Sequence, residues 1–421
     1  MRKRLFLLGF GLILPVLWGV GNIQAQGLKW TGYARNYTGV LLHGNHDFAI
    51  IQNTFNLNVE KSTRQVAFKV NPYLYQYPNQ DSEHPEIGLR EAYLDIYFNS
   101  MDVRIGKQQI IWGKADGVFI TDIVSPKDLT EFLLRDFDEI RMGVTGVKTD
   151  YYLGDNTVEV VWLPAFIPTK FPPQGSIWFR MPPFPVPLSH VTIDRSREKV
   201  TPSLDNSEVF AKFSALTGWV DFEVMGAYAW DDDPTLHVYK KIDPVTHRLA
   251  GLTVYPEHHR LAIGGGSFST TLGPFVLRGE GAYYHGKYFN SRDPKLTDGT
   301  VKKNYVHYLL GLDDTIFDVH TSVQFIQQAI LDYNSYLKND RYQNMATFLA
   351  SRTFLNETLA LSFFMYYDFN NQASLIRPKV TYSLADGFDV LLGANIFTGT
   401  QGMFGQYHDN DMIYTKVKYS F

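Results

Sequence analysis

The 421-residue chain has no cysteine. That removes disulfides, thiol catalysis, Cys-ligated metals and the acylated cysteine of a lipoprotein in one step. Long apolar runs are also missing after the N-terminus: no later stretch approaches the ~18 consecutive apolar residues of a membrane-spanning helix. Nor is there an excess of one charge. The 39 Lys and Arg stand against 43 Asp and Glu, a formal net charge of −4, which argues against nucleic acid as a partner. Gly-rich phosphate loops are absent. The run Gly264-Gly265-Gly266-Ser267 lies inside a strand pattern, not between strand and helix, so it is no nucleophile elbow. No enzymatic activity and no cofactor are expected.

The chain opens with a secretory signal. Arg2, Lys3 and Arg4 precede an apolar stretch from Leu5 to Val20, and Ala25 offers a small residue for cleavage. Residues 1–25 are read as signal peptide and 26–421 as one domain. Mean hydropathy is that of a soluble protein, −0.18, yet aromatics reach 15% with 26 Tyr and 30 Phe. A barrel in lipid explains both. Only every second residue meets lipid, and aromatic side chains gather at the two interfaces.

The dominant signal is a period of two along the whole chain, the mark of strands with one apolar and one polar face. Ile413, Thr415, Val417, Tyr419 and Phe421 share one face, with Tyr414, Lys416, Lys418 and Ser420 on the other. Val220, Phe222, Val224, Tyr228 and Trp230 oppose Asp221 and Glu223, and Ile376, Val380 and Tyr382 oppose Arg377, Lys379 and Thr381. A Lys or Arg facing lipid at mid-depth costs about 2–4 kcal/mol, so the charged face points inward. Asp221, Glu223, Arg278, Glu280, Arg377, Lys379 and Lys416 are expected to line a polar lumen. A soluble β-sandwich would turn its apolar face inward, but it explains neither the repetition nor the terminal Phe421. That terminus resembles the final strands of outer-membrane barrels, which implies recognition by the barrel assembly machinery.

Short turns near 62–63, 99–100, 154–155, 217–218, 272–274, 317–318, 356–357 and 385–387 alternate with longer polar or Pro/Gly-rich connections. Counting this way gives an all-β transmembrane barrel of about 18 antiparallel strands, or about 16 if a marginal hairpin is loop. Outer-membrane lipid and lipopolysaccharide are then the surroundings. The pattern begins soon after the cleavage site, which leaves no room for the plug domain of an energy-coupled transporter.

The segment from Ile87 to Asp138 is the most specific. It contains Leu89-Arg90-Glu91-Ala92-Tyr93, Gly106-Lys107-Gln108, Trp112-Gly113-Lys114, Asp116-Gly117, Asp122, and Ser125-Pro126 with Asp128. With Val161-Trp162-Leu163-Pro164 and the Pro-rich stretch after it, these resemble the domain-of-unknown-function family 1302 of Gram-negative outer-membrane proteins. The resemblance implies an envelope barrel with proposed roles in moving apolar compounds or lipids. Physically, Gly113 and Gly117 let the chain turn off the rim. Ser125 as N-cap and Pro126 in the first turn predict a short helix that presents Leu129, Phe132 and Leu133 on one face. The 113–138 loop either inserts and narrows the lumen, which we favour, or sits outside as a lid. Inserted, Arg104, Gln108, Trp112, Lys114, Asp116, Asp122 and Asp128 form the lining or constriction. Strict alternation sends Lys107 toward lipid, so a bulge is expected near Gly106.

In the 167–204 loop, Phe171, Trp178, Phe179 and Phe184 are interleaved with prolines. Apolar groups on an outer loop need a partner: a hydrophobic solute landing there, or neighbouring loops and lipopolysaccharide that the loop packs against. His237, His258 and His259 near Asp231, Asp232 and Asp233 suggest a surface metal site, but adjacent histidines on a strand point to opposite faces, and no metal is expected. His307 and His320 fall on the lumen face. The reading is a passive channel or facilitator for a small solute, hydrophilic or, as the resemblance favours, an apolar compound or lipid. The alternative is a non-transporting envelope barrel that binds a partner through its outer loops, as an adhesin or scaffold.

Overall fold

The computed structural model describes residues 27–78 and 85–421, so the expected signal peptide lies outside the described residues. The first strands are β1 (Lys29–Leu41), β2 (Phe48–Ser62), β3 (Val66–Gln76), β4 (Glu86–Tyr97), β5 (Met101–Gln108), β6 (Val144–Leu153) and β7 (Asn156–Leu163). Next come β8 (Val191–Ile193), β9 (Glu208–Leu216), β10 (Asp221–Trp230), β11 (Thr235–Ile242), β12 (Leu249–Glu257), β13 (Arg260–Leu272) and β14 (Phe275–Asn290). The last are β15 (Thr300–Ile316), β16 (Val319–Ile330), β17 (Tyr342–Phe354), β18 (Leu359–Asp368), β19 (Ala373–Ala385), β20 (Phe388–Thr398) and β21 (Met412–Ser420). Two one-turn helices, α1 (Phe137–Ile140) and α2 (Gly402–Gly405), lie in loops.

Eighteen strands form one antiparallel sheet that closes on itself, with β1 paired to both β2 and β21. The count is 18, not 16. β8, β11 and β12 make a separate three-stranded sheet in the long connections. Short turns at 63–65, 98–100, 154–155, 217–220, 273–274, 317–318, 355–358 and 386–387 mark one rim. The first and last strands end at that rim, where Gly32 N–H donates to Phe421 O at 2.9 Å and Phe421 N–H to Gly32 O at 3.0 Å. In outer-membrane barrels this is the periplasmic rim. Closure satisfies backbone groups that hydrocarbon cannot. Leu310, Val323, Leu392 and Ile413 stand exposed on the outer face, as a lipid-facing surface requires.

The interior departs from the uniformly polar lumen read from alternation. Toward the extracellular rim the inner wall is apolar: Leu163, Phe210, Leu309, Ile326, Leu375, Phe397 and Met412 are buried there. They pack against Ile110, Trp112, Ile120, Val124, Phe132 and Leu134 of the segment between β5 and β6. Strands covered on both faces lose their alternation, as Leu309-Leu310 shows. Toward the periplasmic rim the wall carries ion pairs. Lys69 meets Glu91 at 2.8 Å, Arg104 meets Asp95 at 2.7 Å, Lys148 meets Asp150 at 2.5 Å and Arg278 meets Asp313 at 2.9 Å.

Two local expectations are corrected. No helix starts at Ser125. The Ser125 hydroxyl accepts from Ile110 N–H at 2.9 Å, and the nearby backbone pairs at a distance: Asp128 N–H to Ile140 O at 2.6 Å, Met142 N–H to Pro126 O at 2.8 Å. Phe132 has a φ of 55°, which no helix accommodates. The loop helix is α1 instead. The bulge is also misplaced, because the register of β5 runs unbroken through Gly106 against both neighbours. It lies on β4, where Asn71 pairs with Glu91 and Pro72 with Leu89, leaving Arg90 unpaired. Arg90 and Glu91 thereby both reach the interior.

The inside-out arrangement predicts opposite tolerances on the two faces of the wall, at Leu310 of β15 and Ser351 of β17. Leu310→Lys, facing lipid, is expected to lower folding stability by about 2–4 kcal/mol. Ser351→Lys, on the lumen face, is expected to change it little. Denaturant-dependent refolding into vesicles measures both.

Candidate functional site

The segment 109–143 enters the barrel from β5 and crosses to the opposite wall. Glycine makes the crossing feasible. Gly113 has a φ of 82°, and a Cβ there would lie 2.6 Å from Glu280 Oε1. Gly117 has a φ of 75°, and a Cβ there would collide with the Tyr366 hydroxyl. That hydroxyl donates to Gly117 O at 2.8 Å from β18 on the far side.

The strongest anchor is Glu280 on β14. Its Oε1 accepts from Thr121 N–H at 2.6 Å and from the Thr121 hydroxyl at 2.7 Å. Its Oε2 accepts from Lys114 N–H at 2.9 Å and Ala115 N–H at 3.1 Å. One buried carboxylate thus takes four donors from the inserted chain, and hydrogen bonds to charged groups are the stronger kind. Arg278, two residues earlier on the same face, grips the next turn. It pairs with Asp116 and donates to Lys114 O at 2.5 Å, and Gln324 Nε2 reaches Asp116 at 3.0 Å.

The other end of the segment is held by cations. Arg377 on β19 donates to Leu133 O at 3.0 Å and Leu134 O at 2.9 Å. Arg35 on β1 reaches Asp136 at 3.1 Å and Glu139 at 3.0 Å, and Lys416 on β21 reaches Asp136 at 2.6 Å. Tyr33 donates to Glu139 at 2.7 Å, and Arg90, freed by the bulge, lies 3.5 Å from it. Burial works against ionising Asp136, but Lys416 and Arg35 outweigh it and hold that carboxyl well below the usual carboxylate range. Glu139 is lowered in the same way, by Arg35 against burial. Glu131 is not: burial pushes it up even beside Arg135 at 3.1 Å.

The segment also folds on itself. Asp122 pairs with Arg141 at 2.6 Å and accepts from Trp112 N–H at 3.3 Å. Asp128 caps Thr130 at 3.1 Å and faces Arg135 at 3.5 Å. Trp112 is buried, its indole N–H on Glu159 at 2.7 Å, and Gln108 is buried with its amide donating to Gly146 O at 3.4 Å. Glu223 lies 3.8 Å from Lys212 on the wall.

Most charged residues singled out in the sequence therefore hold the loop or one another. Lys114 and Lys379 are different. Their ammonium groups make no hydrogen bond or ion pair among the described residues. Asp221, near the periplasmic rim, is likewise without a partner. Sequence reading missed Arg35, Arg90, Asp136 and Glu139. Alternation places Arg35 on the lumen face, a signal that was available; Asp136 and Glu139 sit in irregular chain with no period to read.

The 164–207 connection contributes to the same core. Trp178 is 6% exposed. Its ring lies 5.6 Å from Tyr407 and 5.8 Å from Phe397, and its carbonyl accepts from the Tyr407 hydroxyl at 3.0 Å. It is thus no exposed landing surface. Phe171 is exposed, while Phe179 and Phe184 are half-buried. The histidines separate. His237 Nε2 faces His259 Nε2 at 2.8 Å and its Nδ1 meets Asp298 at 2.8 Å, whereas His258 turns away to Asp231 O at 2.7 Å.

Glu280→Ala is expected to undock the 113–121 stretch, since each lost charged hydrogen bond contributes about 1.5–3 kcal/mol. Trypsin cleavage after Lys114, absent in the wild type, is the readout. The acid response follows from Asp136 and Glu139. Carboxyls lowered on folding contribute their stabilisation above the unfolded values near 4, and lose it as pH falls through the lowered ones. Trypsin-resistant loops at pH 7 are therefore expected to resist pepsin at pH 5 equally well.

Comparison with solved structures gives the fold. The chain is similar to OccAB1 of Acinetobacter baumannii (TM-score 0.54, 8% identity, 94% of this chain and 96% of that one). It is similar to OccK8 (OprE) of Pseudomonas aeruginosa (TM-score 0.53, 11% identity, 94% and 98%). OccK2 (OpdF) of Pseudomonas aeruginosa, solved in complex with glucuronate, matches at TM-score 0.53 and 11% identity over 94% and 98%. Among curated proteins none matches. The closed barrel with its apolar outer face places the protein in the outer membrane. The family model described as "Protein of unknown function (DUF1302)" matches residues 40–421, and the chain belongs to that family.

Proposed function

We propose that the protein is a passive outer-membrane channel or facilitator for a small solute, with segment 109–143 as its constriction. The observation that carries this reading is the crossing itself. A chain segment that leaves β5 is fixed to the far side of the barrel at two places, by Glu280 on β14 and Arg377 on β19, while Lys114 and Lys379 keep unpaired charges. Anchoring residues are spent on position, and the unpaired ones are left to meet a solute. No energy-coupling element is needed. A diffusing solute requires sites favourable enough to enter and weak enough to leave. That OccK2 was captured with glucuronate fits a small solute for this architecture. The apolar core near the extracellular rim supports a solute with apolar surface over a fully hydrophilic one.

The same core favours a second reading. Trp178, Phe132, Phe397 and Tyr407 pack together across the extracellular mouth, as they would in a sealed barrel that serves as a scaffold or adhesin through its outer loops.

Planar-bilayer recording separates the two. The wild type is expected to conduct weakly and a variant lacking residues 114–136 several times more. A barrel that conducts in neither form overturns the channel reading. Lys379→Glu is expected to move the reversal potential toward cation selectivity, and an unchanged potential removes Lys379 from the path.

A further inference from the structure

We propose that a cavity between the inserted segment and the wall formed by β15–β18 binds a neutral single-ring aromatic solute bearing one hydrogen-bonding group. This deepens the channel reading and rests on it.

The cavity measures about 180 Å³. An apolar cavity of about 150 Å³ is large enough to hold benzene, so one ring with a small substituent fits and a sugar or a fused-ring compound does not. Its walls come from three places. Phe119 belongs to the inserted segment, Met345 and Tyr366 to the barrel, and Phe404 to α2. Tyr366 and Phe404 lie with ring centroids 5.4 Å apart and planes at 32°, a surface on which a third ring can stack. The methionine thioether adapts to an irregular aromatic guest.

The polar groups fix the substituent. His307 is 6% exposed, lines the cavity, and its Nε2 has no hydrogen-bond partner. Buried polar groups are otherwise nearly always satisfied, so this nitrogen is left for a guest. The side-chain amides of Gln328 and Gln343, also on the lining, make no hydrogen bond among the described residues. Asp368 is occupied, since its oxygens accept from Asn370 N–H at 3.0 Å, Asn371 N–H at 3.2 Å and Asn371 Nδ2 at 2.8 Å. No Lys or Arg lines the cavity. Without a cation, and with Asp368 near, a carboxylate is disfavoured; a hydroxyl or carbonyl suits the imidazole and amides. Gln328, Gln343 and α2 all lie toward the extracellular rim, so the site sits on the extracellular side of the inserted segment.

The test is calorimetric titration of the purified full-length barrel in detergent with benzyl alcohol, toluene, benzoate and glucose. Saturable one-to-one binding of benzyl alcohol is expected, with benzoate weaker by about tenfold or more and no binding of glucose. Met345→Trp, which fills the cavity, is expected to abolish binding. His307→Leu is expected to weaken benzyl alcohol about tenfold and leave toluene unchanged. Benzoate or glucose binding as tightly as benzyl alcohol overturns the proposal, as does equal binding by both variants and the wild type. Bilayer conductance of the same preparations keeps the two readings apart. Binding without conductance would sink the channel and leave the site, and conductance without binding would do the reverse.

Discussion

A strand in hydrocarbon has no water to satisfy its backbone, so its N–H and C=O groups must find partners in the sheet. The rest of this molecule follows from that requirement. The sheet closes through β1 and β21, so no edge is left to lipid. Closure puts one face of every strand on lipid and the other on an enclosed space, which makes the interior the place where charge can be carried without facing hydrocarbon. It also sets the problem that the interior then has to solve, because a barrel of this size encloses more volume than its own side chains fill.

The solution is a division by depth. Near the periplasmic rim the wall pairs its own charges, within β6 and across neighbouring strands. Near the extracellular rim it becomes apolar and accepts a segment of its own chain, bound by a hydrophobic core and fastened at its ends by Glu280, Arg377 and Arg35. The polar anchors add direction more than stability, since desolvation offsets much of the attraction between buried charges. The apolar contacts supply most of the adhesion and the anchors supply the register. Such a segment is positioned by hydrogen bonds and held by a buried apolar surface.

Much of this was legible in the sequence because a period of two is a direct projection of geometry. Arg377 and Lys379 on one face of β19 and Val380 and Tyr382 on the other needed no tertiary information. The turns were legible for the same reason, as breaks in that period. What failed was local reasoning about chain that is organised at a distance. Ser125-Pro126 has the chemistry of a helix start, but the backbone beyond it is committed to Ile140 and Lys170. Trp178 looked like an outer-loop aromatic, and only packing against Tyr407 and Phe397 turns it inward. The apolar inner wall is invisible to the rule for a solvated lumen, because what Leu309, Ile326 and Leu375 face there is another piece of protein.

The unpaired residue on β4 has a consequence of its own. Ile87 and Leu89 face outward before it, and Ala92 and Leu94 face outward after it, so the parity of the strand changes from odd to even at Arg90. Excise Arg90 and a straight ladder remains, with each neighbouring side chain still on its present side. The architecture would have been complete one amino acid shorter. Arg90 is surplus to the barrel, and what it adds is a guanidinium that reaches Glu139 of α1 at 3.5 Å.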